Sequence, residues 1–162
     1  MPLFLVLLGI MQFGFIFNTY ITVANAAREA TRLGTVYTYD PDCTKDQNDV
    51  LRNEKIRAAL IASMNQLTTS APRFTTTAPT GSNCNWTGGW TKSGTTYTNG
   101  DVVVTYVIPS GLTDENSRDG QQITVQATYH QDLVVPIIAN MLPKDAGGRL
   151  ALTGVVTMVI DG

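Results

Sequence analysis

Few residues in this chain are of types that do chemistry, and their spacing narrows the options further. His130 is the one histidine among 162 residues, so any histidine-dependent triad has to be built around it alone. No GxSxG elbow, HExxH, P-loop or GxGxxG accompanies it. Asp114, Asn116 and Asp119-Gly120 offer oxygen ligands of the kind Ca²⁺ takes, but the spacing is not that of an EF-hand loop and no Glu closes it, so they read as a solvated turn. Asp40, Asp42, Asp46 and Asp49 read the same way. Cys43 and Cys84 are the two cysteines, and neither sits in a CxxC pair. One Cys43–Cys84 disulfide is the economical reading; two buried thiols are the alternative, and a metal site stands behind both because no clustered histidine supports it. A bridge implies an oxidising, extracytoplasmic compartment. The residues argue for no enzyme and no cofactor.

The element that organises the rest is the N-terminus. Pro2 to Phe17 (PLFLVLLGIMQFGFIF) runs on to Gly34 without another proline, and no Asp, Glu, Lys or Arg appears before Arg28. At ~1.5 Å per residue a helix over this span is roughly 50 Å long, and its first two-thirds are apolar on every face. About twelve large apolar side chains lie between Leu3 and Phe17, each worth ~1.5–3 kcal/mol when buried, so exposure to water would cost more than a domain's whole stability. Such a rod lies in a bilayer, among copies of itself, or in each by turns, and the uncharged run is long enough to cross a membrane. Leu3, Leu7, Ile10, Phe13 and Phe17 are its candidate packing residues. From Asn18 the pattern turns amphipathic, and Ala26, Ala30 and Gly34 form a small-residue stripe at four-residue spacing that permits close approach of another helix or a sheet. We read the stripe as an assembly contact; the competing account is that it packs only on the chain's own head. Met1 is followed at once by Pro2 and the apolar core, with no basic region and no small-residue cleavage site, so the chain is expected to be a mature product cut from a longer precursor just before Met1.

The organisation expected is residues 1–36 as the rod and 37–162 as an α+β head. A second helix is predicted from about Asp46 to Leu67, with Ile56, Leu60, Met64 and Leu67 at helical spacing and Arg52, Lys55 and Gln66 largely elsewhere. Residues 68–99 lose periodicity and read as a long surface excursion rich in Thr, Gly and Asn. Its Thr75, Thr76 and Thr77 resemble an O-glycosylated segment, and Asn85-Trp86-Thr87 is an N-glycosylation sequon. Trp86 and Trp90 read as aromatics that pack this loop on the sheet. Three β-rich runs follow, Asp101 to Ile108, Gln122 to Val135 and Arg149 to Ile160. The second alternates most clearly, Ile123, Val125, Ala127 and Tyr129 on one face and Gln122, Thr124, Gln126 and Thr128 on the other. A small antiparallel sheet with one wet face and an edge available to neighbours is the expectation. Pro136 to Leu142 reads as a short apolar helix or turn.

Composition bounds the partners. Net charge is −2, with 11 Lys+Arg and no basic run, which gives no electrostatic footprint for nucleic acid. Charged residues are only 15% of the chain, so the head's exterior is expected to be polar but uncharged.

Leu8-Gly9-Ile10-Met11-Gln12-Phe13-Gly14 and Asn25-Ala26-Ala27-Arg28-Glu29-Ala30-Thr31-Arg32 together resemble the TadE-like family, pilin-like proteins of tight-adherence pilus systems. The resemblance covers roughly residues 2–34, with a weaker likeness in the last strands. It implies a class III signal, membrane insertion, cleavage by a prepilin-type peptidase, pilus assembly machinery as a partner, and packing of the N-terminal helix in a pilus. The family's cleavage Gly and the Glu that follows it belong upstream of Pro2 and are not among these 162 residues. The function expected is a structural subunit of an extracellular filament, in the cytoplasmic (inner) membrane before assembly, whose partners are copies of itself. The alternative is a membrane-anchored surface adhesion module using Trp86, Trp90 and the Thr-rich excursion. An accessory pseudopilin stands between the two.

Overall fold

The computed structural model describes residues 2–36, 39–64, 67, 73–81, 84–115, 117–135 and 139–161. Helix α1, Pro2–Thr35, is the predicted rod. Helix α2, Lys45–Ser63, starts where Gln47 Oε1 accepts the Thr44 N–H at 2.7 Å, which satisfies a donor that the first turn leaves open. It ends short of the predicted Leu67. Met64 turns the chain out of helix, and its Ser/Thr-rich continuation carries no apolar stripe to hold another turn. Ile56, Leu60 and Met64 are buried as their spacing demands.

Five strands follow: β1 Thr91–Ser93, β2 Thr96–Asn99, β3 Val102–Val107, β4 Gln122–Gln131 and β5 Leu150–Val159. They form one antiparallel sheet in sequence order. The three long runs are the predicted ones with trimmed ends. In β4 the expected alternation holds, with Ile123, Val125, Ala127 and Tyr129 buried and the intervening residues part-exposed. On the outer face the hydroxyls of Thr124 and Thr157, and of Thr128 and Thr153, meet across the β4–β5 pair at 2.8 and 3.1 Å. β4 stops at Gln131 rather than Val135 because the next backbone donors turn to α1 instead of a neighbouring strand. Of the predicted apolar turn 136–142, residues 136–138 lie outside the described residues; Ala139 N donates to Val135 O at 2.9 Å.

The stretch expected to be structureless contains β1 and β2. Thr91–Ser93 and Thr96–Asn99 make a tight hairpin around Gly94, whose φ of +61° suits a turn that other residues resist. Before it, the chain is tied to the sheet rather than loose. The Asn99 side chain exchanges two hydrogen bonds with the Thr77 backbone, and Gly100 is so close to Thr75 O that a Cβ there would sit 2.1 Å away.

Both helices cover the inner face. The core joins Val23, Ala26 and Ala30 of α1 with Ile56 and Leu60 of α2 and Tyr97, Val102, Val104, Tyr106, Ile123, Val125 and Tyr129 of the sheet. The upper half of α1 thus belongs to the head's own core, and that core crosses the expected boundary at 36/37. At Gly154 of β5 a Cβ would meet Val23 O at 3.0 Å and Ala24 Cα at 3.2 Å, so a residue without a side chain lets helix and sheet backbones touch.

Candidate membrane and assembly surface

Below Asn18 α1 leaves the core. Leu3, Phe4, Leu5, Val6, Leu7, Ile10, Met11, Phe13, Phe15 and Phe17 are all exposed, Leu3 at 83% and Phe17 at 65%, because the head is too small to wrap the rod. Among the described residues this is the one helix long and apolar enough to cross a membrane, and only 11% of its most apolar stretch is buried within the chain. Leu3, Leu7, Ile10, Phe13 and Phe17 therefore present one continuous apolar surface.

Ala26, Ala30 and Gly34 do not. Each is buried, and a Cβ at Gly34 would lie 2.7 Å from Ile56 Cδ1 and 3.3 Å from Ile123 Cδ1. The small-residue stripe brings α1 close to its own α2 and β4, which supports the competing account in which it packs on the chain's own head. Small side chains signal close approach, and the partner here is intramolecular.

Two polar side chains register the head on the rod. Gln12, 1% exposed, accepts the backbone N–H groups of Val134 (2.8 Å) and Val135 (3.3 Å) through Oε1, while its Nε2 is buried with no partner among the described residues. Thr19 Oγ1 donates to Gln131 Oε1 at 2.7 Å. Sequence reasoning passed over both, yet Gln12 is the one polar side chain between Pro2 and Phe17, which is the signal that could have singled it out.

Asp46, Asp49 and Asp114 go into ion pairs, while Asp40 accepts the Asp42 backbone N–H at 3.0 Å. Asp49 is fully buried, and its carboxylate accepts Arg118 Nε at 3.0 Å and Nη2 at 2.7 Å. Arg118, also buried, donates to Asp114 (2.6 Å) and Gln121 (2.9 Å), and its guanidinium lies 4.4 Å from the Tyr106 ring centroid. Burial works against the Arg118 charge, but its bonds to Asp49 outweigh this and hold its pKa above the usual arginine range. Tyr97 and Tyr106 stack edge to face, and burial first, then the charge of Asp49, raises both phenols well beyond their ordinary range. Asp114 also pairs with Lys45, and Asp46 with Lys92. Asn116 lies outside the described residues. Arg52, expected off the apolar stripe, is buried as well and donates to Ser117 O. These charges fix the loop before β4 onto α2.

His130 is held between two carboxylates, Nδ1 2.6 Å from Asp145 Oδ2 and Nε2 3.0 Å from Asp101 Oδ1. Both ring nitrogens have to donate to satisfy that geometry, so the site favours the imidazolium. Burial opposes the charge, and the two carboxylates overcome it, raising the His130 pKa above 6.5. The arrangement clamps the start of β3 to the 145–149 loop and leaves neither nitrogen facing an open cleft.

Cys43 and Cys84 are joined in a disulfide that ties the start of α2 to the excursion. Asp40 lies beside the two sulfurs, but their bond leaves no thiolate to ligate a metal. Asn85 is exposed near the bridge. Thr75 Oγ1 donates to Asp101 and Thr76 Oγ1 accepts from Arg57, so these hydroxyls serve packing in the folded chain. Trp90 donates to Glu54 at 2.7 Å and packs on the core. A groove of about 440 Å³ between the end of α1 and α2 is lined by Leu33, Val36, Lys55, Ala58, Ala59 and Ala62, and brings no acid, base or nucleophile pair together.

Compared with known proteins, residues 1–32 match a family model described as TadE-like protein, which supports the resemblance carried by the two N-terminal motifs. The match covers the rod and none of the head. No curated protein and no solved structure matches the chain. The TadE-like match and the apolar helix fit a pilus-related, membrane-anchored protein. That family is pilus-associated and structural, not known for catalysis.

Proposed function

We propose that this chain is a pilin-like structural subunit that polymerises through its N-terminal helix into an extracellular filament, after a stage in which the same helix is held in the cytoplasmic (inner) membrane. The observation that carries the reading is the exposed apolar surface from Leu3 to Phe17 on a helix whose upper half is locked into the head. A head that cannot cover its own rod needs either lipid or copies of itself around that rod, and a rigidly mounted rod hands on a fixed geometry from one subunit to the next. Leu3, Leu7, Ile10, Phe13 and Phe17 are the proposed assembly contacts. Other copies of the chain, a prepilin-type peptidase and the pilus assembly machinery are its proposed partners, with no nucleic acid, no cofactor and no catalytic residue. Asn85, exposed in its sequon, is the better placed of the glycosylation candidates.

The test is cysteine cross-linking in cells. A Phe13→Cys subunit, its own disulfide already closed, has one free thiol and should give a disulfide-linked dimer under mild oxidation, and the same dimer should appear in sheared surface filaments identified by mass spectrometry. Monomer confined to the membrane fraction, with no surface filaments by electron microscopy, would instead favour the membrane-anchored adhesion reading.

A further inference from the structure

The head does not stop where the apolar rod begins. Beyond Thr19, which holds the last residue of β4, the chain continues down the rod until Gln12 accepts the amides of Val134 and Val135. The spacings agree: seven helical residues from Gln12 to Thr19 rise ~10 Å, and three extended residues from Gln131 to Val134 cover about the same. Only Pro2 to Met11, ~15 Å of helix, extends past this contact. A bilayer's hydrocarbon core is ~30 Å thick and takes about 20 helical residues. While the Gln12 contact is closed, α1 cannot span a bilayer unless the surface lies well above Gln12, near the half-exposed Tyr20. That level places the end of the 132–135 segment below the membrane surface.

The segment is built for such a place. Val134 is 73% exposed to its surroundings as an apolar side chain, and Val135 is tucked inward. Its two backbone donors, which water could not satisfy in lipid, are taken by the one polar side chain of the lower rod. One step higher, Asp132 is paired with both Arg73 and Arg149, charges suited to the headgroup layer. Tyr20 on α1, 48% exposed, is an aromatic of the kind that sits at that boundary.

We propose that, before assembly, the segment Leu133–Val135 is embedded in the acyl region of the bilayer beside α1, with Gln12 as its hydrogen-bond acceptor. The chain then contacts lipid through a helix and a loop together. This rests on the membrane stage of the proposed function. Gln12 acts as a positioning residue that sets how deep the head sits.

The test uses the full chain in phosphatidylcholine/phosphatidylglycerol vesicles, with a nitrobenzoxadiazole fluorophore on a single introduced cysteine at Leu5, Val134 or Val155. Val155 is exposed on the outer sheet face and serves as the aqueous reference. Lipids carrying a nitroxide at mid-chain should quench the Leu5 and Val134 labels and spare the Val155 label. In a Gln12→Leu background, the ratio of embedded to unembedded Val134 read from the quenching should fall by at least about fivefold, the equilibrium counterpart of two backbone donors left unsatisfied in lipid, while quenching at Leu5 persists. Leu5 quenched with Val134 as wet as Val155 would overturn this inference alone. Leu5 as wet as Val155 would remove the membrane stage itself and this inference with it. Undiminished quenching at Val134 in the Gln12→Leu chain would overturn the role given to Gln12.

Discussion

Replacing Asp49 by Asn is the sharpest perturbation of the head. The substitution keeps the shape and removes the charge that two Arg118 nitrogens face at 3.0 and 2.7 Å. Both partners are buried, side-chain exposure being 1% for Arg118 and 0% for Asp49, so water cannot take over. Breaking a buried pair by removing one partner costs about 3–5 kcal/mol. Arg118 keeps Asp114, whose side chain is 35% exposed, and Gln121, which places the expected loss near the lower end. Arg118 also holds a backbone φ of +62°, a conformation that persists only because its surroundings impose it, so a weakened pair also loosens the turn before β4. At about 2–4 °C per kcal/mol for a chain of this size, the melting temperature should drop by roughly 6–12 °C. The assay is circular dichroism of the full chain in detergent. A double variant, Asp49→Leu with Arg118→Met, should recover a large part of the loss, since a buried pair replaced by apolar residues is often neutral. A shift below about 2 °C for Asp49→Asn would refute the claim that this pair organises the head.

Ala30→Leu places three further carbons where the helix meets its own core, and overpacking should lower the stability of the unassembled chain by about 1–3 kcal/mol, read as a lower melting temperature; an unchanged melting temperature with lost filaments would return the stripe to the subunit contact. The Cys43–Cys84 bridge spans 41 residues, so reduction should cost roughly 4 kcal/mol, and alkylation of the unreduced, denatured chain should find no thiol. The His130 pKa is raised on folding, so its contribution is full below about 6.5 and is lost as pH climbs through the higher folded value; the melting-temperature gap between the parent chain and His130→Gln should be widest near pH 5 and should narrow above neutrality, and a gap that widens with pH would reverse the assignment.

What the sequence made legible was whatever repeats with a clear period. The rod announces itself as a long uncharged run that is apolar on every face, and the second helix and the three long strands do so because apolar residues recur at 3.6 or 2 positions and each buries one face. The hairpin of β1 and β2 stayed hidden because its strands are built on Thr, polar to a hydropathy reading on either face, although Ser93-Gly94 between Thr-rich runs is a turn signal. Asp49 reads as part of a solvated turn and Arg52 as lying off the apolar stripe, and nothing local marks the long-range contacts that bury them: Asp49 and its partner Arg118 are 69 residues apart. The stripe of Ala26, Ala30 and Gly34 was seen as a close contact, but spacing tells only that something approaches, and the head's own Ile56 and Ile123 fill the place.

That occupancy changes where assembly can draw its energy. Lipid is as apolar as Leu, so moving the lower rod from a bilayer into a filament gains nothing from the hydrophobic effect, and packing has to supply the drive. With the upper stripe already used inside the subunit, a site left for close backbone approach on the exposed rod is around Gly14, where a Cβ would meet nothing within 4 Å. A glycine inside a helix costs about 0.5–1 kcal/mol relative to alanine, and within the single chain no contact offsets it. Gly14→Ala should therefore raise the stability of α1 in the detergent-solubilised chain by about that amount. If neighbouring rods pack there, the same change should reduce filament yield while the subunit becomes more stable, two effects of opposite sign from one methyl group. Filament yield that rises or holds together with subunit stability would show that rods do not meet at Gly14.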